Sequence, residues 1–177
     1  MLKFFIKFVW FNKKNLKMEI PEISVRFMEE AKKEADKGVM LGDGGPFGAV
    51  VVKDGEIIAR AHNEVIKTQD PTAHAEVTAI RRASKALNRF NLEDCELYTS
   101  SEPCPMCFAA VHWAKMTKMY YGCSVRDAAE YGFDDRYIYE VIAGTAKSHQ
   151  VQTFQVGREI CLEPFKQWNL SDRKVSY

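Results

Sequence analysis

Two short motifs constrain this chain more than any other part of it: Asp70-Pro71-Thr72-Ala73-His74-Ala75-Glu76, and about thirty residues later Pro103-Cys104-Pro105-Met106-Cys107. One imidazole and two thiolates form a donor set that favours zinc. Three protein ligands leave a fourth tetrahedral position for water, which is the arrangement of a catalytic and not a structural site. A fold that uses both motifs must bring the starts of two helices onto one ion. Cys104 and Cys107 stand three apart at the start of an expected helix over 104–114, so their sulfurs share one face. Pro103 and Pro105 suit that start, because the first helical turn has no intrahelical partner for its N–H groups and the φ of proline is already helical. The positive end of a helix and a bound cation both lower a thiol pKa, so both cysteines are expected as thiolates. His74 opens a second helix, expected from Ala73 to about Leu87. Glu76 lies two residues further on and off the histidine's face. It is poorly placed as a fourth ligand and well placed to reach a water beside the metal.

The remaining cysteines and histidines do not extend this set. A C-x-x-C alone also fits a redox pair or half of a zinc ribbon, and the chain has no second one. Cys95, Cys123 and Cys161 lack ligand spacing and are expected as small buried hydrophobes. His62, His112 and His149 are expected as surface or satisfied core residues. With His74, Cys104 and Cys107 as ligands, zinc would bring the pKa of a bound water toward neutrality. Glu76 would take the water proton, then pass it to a ring nitrogen and to a departing exocyclic amine. H-x-E together with P-C-x-x-C is the pattern by which zinc-dependent base deaminases are recognised.

Composition sets the outer limits. The chain has 177 residues, 46% hydrophobic and 28% charged, which fits one soluble domain with a sizeable core. No stretch is long enough to span a bilayer, and a site that needs reduced thiols points to a reducing cytoplasm. Residues 1–17 differ from the rest, with five lysines and no acid among aromatic and aliphatic residues. They read as a basic N-terminal extension outside the deaminase domain of 18–177, or as a start assigned upstream of Met18; a basic amphipathic surface anchor is the competing reading. The net charge is +1, from 25 basic and 24 acidic residues. Residues 18–177 keep 20 basic and all 24 acidic, which gives −4. An acidic body is a poor binder of phosphate backbones, so a nucleic-acid substrate is not expected.

Hydrophobic periodicity predicts a helix over about Glu22–Leu41, ended by Gly42-Asp43-Gly44-Gly45-Pro46. Two strands, Phe47–Lys53 and Glu56–His62, flank Asp54-Gly55, a hairpin signal. Asn63–Thr72 reads as a polar loop. Strands follow at Glu96–Ser100 and Lys118–Cys123, on either side of the cysteine helix. The segment Asp127–Ala143 reads as mostly helical, Val151–Val156 as a strand and Arg158–Leu170 as a short helix. Strands alternating with helices make this an α/β chain with the cysteines at the carboxyl end of a strand.

The residues from about Gly44 to the end resemble the cytidine deaminase-like superfamily and, within it, the small bacterial guanine deaminases. The resemblance is carried by Gly-Gly-Pro-Phe-Gly-Ala-Val at 44–50, by the two metal motifs with Glu102, by Gly-Phe-Asp-Asp at 132–135 and by Tyr177. It implies a three-layer α/β/α fold around a mixed sheet of about five strands, one Zn2+ per subunit and hydrolysis of guanine to xanthine and ammonia. It also implies a homodimer in which the C-terminal segment can close over a partner's site. Asn63 would offer an amide donor and acceptor to a base edge, with Ala75 beside it in the substrate site. Phe47 and Trp113 would offer apolar faces to a purine, although each also suits the core of its own element. Asp135 would be a second carboxylate, for recognition or proton transfer, and Tyr177 a lid residue. Adenosine deamination in tRNA, deamination of guanosine or another nucleoside or base, and a structural-zinc binding module are the alternatives. The acidic body, Phe133-Asp134-Asp135 and the terminal tyrosine weigh against the first. Glu76 weighs against the last.

Overall fold

The computed structural model describes residues 22–147 and 150–176. Elements run in the order α1 (Glu22–Leu41), β1 (Gly48–Lys53), β2 (Glu56–His62), α2 (Val65–Thr68), α3 (Ala75–Leu87), β3 (Cys95–Ser101), α4 (Pro105–Trp113), β4 (Lys118–Cys123), α5 (Val125–Glu130), α6 (Arg136–Ala143) and α7 (Arg158–Leu170). The sheet has the order β2-β1-β3-β4. β1 is antiparallel to both β2 and β3, while β3 and β4 are parallel and joined through α4. Asp54 and Gly55 take φ of 50° and 79°, the left-handed pair that a two-residue hairpin needs, and the turn forms where the sequence places it.

Helices cover both faces of this sheet, which gives the three layers. On one side α1 lays Phe27 against Val50, Val52 and Tyr98, and the Phe27 and Tyr98 rings meet at 5.1 Å. Gly48 permits that approach. A Cβ there would lie 2.1 Å from the Ala31 carbonyl oxygen of α1 and 2.4 Å from the Ala35 nitrogen. On the other side α3 and α4 pack Ala75, Ala79, Ala83 and Val111 against Ala49, Val51, Ala61 and Leu97. Small residues facing the sheet let α3 sit close to it, so the start of that helix is held firmly beside the ends of β1, β2 and β3.

One expectation about the elements of the second half is corrected. The sheet has four strands among the described residues, not about five, because Val151–Val156 has no strand partner; Val151, Phe154 and Val156 are 76%, 80% and 83% exposed. Its apolar alternation suits a strand, but a strand also needs a neighbouring backbone to pair with. The helical reading of Asp127–Ala143 resolves into two helices. A capping box between Ser124 and Asp127 starts α5 at Val125, and Gly132, at φ 90°, breaks the chain before α6. Cys123 and Cys161 are exposed, unlike Cys95, which is buried as expected. Residues 1–17, His149 and Tyr177 lie outside the described residues.

Candidate metal-dependent active site

Two helix starts converge, as the motifs require. His74 holds the position before α3 and Cys104 the position before α4, both in extended backbone conformation. His74 Nδ1 lies 3.5 Å from Cys104 Sγ and 3.5 Å from Cys107 Sγ. A tetrahedral zinc with ordinary bond lengths to sulfur and nitrogen separates the two ligand atoms by about 3.5 Å, so the three donors fit the ion as they stand. Their charges make the same point. The thiol of Cys107 beside Cys104 drives the Cys104 pKa down, and the neighbouring Cys104 sulfur drives that of Cys107 up. The pair holds one negative charge readily, and a second requires a cation between them. His74 is raised mainly by its hydrogen bond with Cys104.

A cavity of about 410 Å³ opens over this cluster and is lined by Phe47, Asn63, His74, Glu76, Cys104 and Asp135 among others. Glu76 is buried, at 5% exposure, and burial pushes its pKa up, reinforced by the charge of Cys104. Asp135, just before α6, is also raised by burial first and then by Cys104. The roof over the cavity comes from Phe133, whose ring meets Phe47 edge-on at 4.9 Å. Tyr139 donates its hydroxyl to the Pro103 carbonyl at 3.0 Å and so ties α6 to the cysteine loop. Burial raises this phenol to about 12, and it remains a donor.

Asn63 is more restricted than its side chain alone suggests. Its Oδ1 accepts from Gly45 N–H at 3.3 Å and from Val65 N–H at 3.2 Å, which fixes the orientation of the amide. The acceptor is consumed by backbone, and the NH2 donor is left for the cavity. Gly44 makes this possible, since a Cβ there would stand 2.1 Å from Asn63 Oδ1. Behind Asn63, His62 is satisfied on both sides, by Asp43 at 2.8 Å and Glu34 at 3.3 Å. Lys67 bridges Asp43 and Glu64, and Arg82 holds Glu64 at 2.7 Å. His62 is thus a core histidine in a charge network that braces the Asn63 loop.

Two expected substrate residues are not brought to the cavity. Trp113 is 64% exposed on α4 with Lys115 over its ring. Ala75 is fully buried in the core, one step around α3 from His74, and packs toward the sheet. The motif reading omitted Ser101, Glu102, Val65, Phe133 and Ile138 from the cavity wall. Glu102 had a signal in its place beside Pro103-Cys104, and it accepts from Val125 N–H at 3.2 Å. Phe133 had one in Gly-Phe-Asp-Asp at 132–135, whereas Ser101, Val65 and Ile138 reach the wall only through tertiary packing.

The pattern of the cytidine and deoxycytidylate deaminase zinc-binding region matches residues 21–123, more than half of the chain. The chain belongs to the cytidine and deoxycytidylate deaminase family. It has a zinc-dependent deaminase fold, and its His74, Cys104 and Cys107 form a group that could hold a metal ion. Among deaminases of known activity, it is 50% identical to guanine deaminase of Bacillus subtilis over 151 residues, 85% of this chain and 97% of that one. It is 47% identical to the tRNA-specific adenosine deaminase of Aquifex aeolicus over 92 residues, 52% of this chain and 58% of that one. The solved guanine deaminase of B. subtilis superposes with a TM-score of 0.82 at 48% identity, covering 86% of this chain and 98% of that one. The guanine deaminase of Nitrosomonas europaea superposes with a TM-score of 0.58 at 28% identity, over 70% of this chain and 79% of that one.

Proposed function

We propose that this deaminase hydrolyses guanine to xanthine and ammonia. One observation carries the reading. Likeness to the B. subtilis guanine deaminase runs over 151 residues, further than the 103 of the zinc-binding region, so it takes in the α5–α6 roof. Likeness to tRNA-specific adenosine deaminases is weaker, 47% over 92 residues for that of A. aeolicus and 36% over 126 residues, 71% of this chain, for that of Streptococcus pyogenes. The cavity, about 410 Å³ and partly covered by Phe133, has room for a base.

The side chains then have distinct tasks. His74, Cys104 and Cys107 would hold the zinc, whose chemistry would be to lower the pKa of a nearby water and supply a nucleophile near neutral pH. The Glu76 carboxylate takes a proton from the attacking water and delivers it to the ring nitrogen beside the amine-bearing carbon as the C–O bond forms. It then takes the proton of the new hydroxyl and delivers it to the amine, so the carbonyl forms as the C–N bond breaks and ammonia leaves. Asn63 donates from its NH2 to an acceptor on the base, Phe47 and Phe133 cover the ring and exclude water, and Asp135 faces the ring's N–H groups from the roof. Purified zinc-loaded protein should release ammonia from guanine with xanthine formed in equal amount, and not from cytosine or a tRNA anticodon stem-loop. Release from the stem-loop alone would replace guanine with tRNA adenosine as the substrate.

The working unit is a homodimer that exchanges its C-terminal segments, in a reducing cytoplasm that keeps Cys104 and Cys107 reduced. Support comes from α7, where Ile160, Phe165, Trp168 and Leu170 are 76%, 71%, 49% and 83% exposed, apolar surface of a kind that calls for cover. No helix among the described residues is long and apolar enough to cross a membrane. Sedimentation should give twice the 20.3 kDa chain mass, and removal of residues 150–177 should return it to the monomer. A full-length monomer at micromolar concentration would overturn the exchange.

A further inference from the structure

The helix that carries Asp135 to the cavity has little apolar anchorage within this chain. No residue of α6 is buried, and Ile138 and Ile142 are 48% and 58% exposed, so burial does little to fix the rotation of the helix about its own axis. A polar contact fixes it instead. Tyr139 stands four residues after Asp135, and its hydroxyl donates to the Pro103 carbonyl at 3.0 Å. Pro103 is fully buried beside Cys104, so the acceptor has a set place. Residues three and four apart are neighbours on one face of a helix. A rotation that brings Tyr139 to Pro103 therefore turns Asp135 and Ile138 to the same side, and both of these line the cavity. The bond joins the cysteine loop to the α6 end of the cavity, two parts of the site that are 36 residues apart in the chain.

We propose that Tyr139 is a positioning residue for the reaction, whose hydroxyl latches α6 to the cysteine loop and so keeps the Asp135 carboxylate aimed at the purine. This rests on the reading of the cavity as a purine deaminase site. Tyr139 is not itself among the residues that line the cavity, so it acts on the substrate through the placement of Asp135. Loss of one neutral hydrogen bond shifts an equilibrium by about fivefold. Without the bond α6 takes up other rotations, the fraction of protein with Asp135 in place falls, and the apparent affinity for substrate falls by the same factor. Once guanine is bound the carboxylate is back in place, and the chemical step is unaltered.

Tyr139→Phe removes one oxygen and keeps the ring. In the zinc-loaded variant KM for guanine should rise about fivefold, with kcat within about twofold of wild type and zinc still at one per chain. A double-mutant cycle with Asp135→Asn shows the route, and it is read as the Kd for guanine in the Glu76→Gln background, where turnover does not consume the ligand. Asparagine suits the helix start as well as aspartate does, so the substitution removes the carboxylate and spares the helix. Asp135→Asn should weaken binding, and adding Tyr139→Phe to it should weaken binding no further. An unchanged KM in Tyr139→Phe would overturn the proposal, as would an unchanged Kd in Asp135→Asn. Effects that multiply in the double variant would make Tyr139 a residue that acts without Asp135, and loss of zinc from Tyr139→Phe would assign the bond to Cys104; either result also overturns it. Wild-type turnover of guanine is the control. If wild type releases no ammonia from guanine, it is the guanine reading that fails, and the same measurements are made on the aminated base it does deaminate.

Discussion

Glu76→Gln should leave the protein folded and its zinc content at one per chain, and lower guanine turnover by about 10³-fold or more, in the upper range for loss of a positioned acid–base group. The substitution keeps the volume and most of the hydrogen-bonding capacity of a side chain that is 5% exposed, so the packing around it has little reason to change. It removes the group that carries the water's two protons in turn, the first to the ring nitrogen and the second to the amine. Burial has already raised the Glu76 pKa, which moves the carboxyl toward the pH at which it must both accept and give back a proton. The group works first as the ionised base, so kcat/KM should fall as pH drops and the carboxyl takes up a proton, and the residual activity of the variant should lack that limb. Metal analysis and a pH profile on the same preparations check the claim. A variant with full turnover would remove Glu76 from the chemistry, and one that had lost zinc would make it a ligand.

The metal site was legible in the sequence because it is local. His74 and Glu76 belong to one helix start, Cys104 and Cys107 to another, and the spacing within each fixes which atoms share a face. The hairpin was legible for the same reason, since Asp54-Gly55 selects its turn without help from the rest of the chain. The cavity wall is a different problem. Phe133 reaches Phe47 because Gly132 breaks the helix before it, and Asn63 becomes a pure donor because Gly45 and Val65 take its oxygen. Neither follows from periodicity. Trp113, which the resemblance put against the purine, is carried by helical rotation to the exposed side of α4. Val151–Val156 has the composition of a strand and no partner among the described residues, so its alternation alone misled.

Cys107→Ser should have the second large effect, and it should reach beyond activity to the fold. Cys107 is fully buried in the first turn of α4, with its sulfur 3.5 Å from His74 Nδ1 at the start of α3. A metal held by His74, Cys104 and Cys107 therefore joins two helices that are separate in sequence, and it binds the folded protein in preference to the unfolded one. A ligand that does so stabilises by mass action, by about 4 kcal/mol at a thousandfold excess over its dissociation constant. A serine hydroxyl does not ionise to a comparable ligand near neutral pH, so zinc should fall well below one per chain and guanine turnover should be lost with it. The thermal midpoint should drop to near that of chelator-treated wild type. Chelator should lower the wild-type midpoint and leave that of Cys107→Ser where it is, because the same stabilisation cannot be removed twice. If the variant loses zinc yet keeps the wild-type midpoint, the β3-α4-β4 packing and the small-residue face of α3 hold the two helix starts together unaided, and the metal serves the reaction alone.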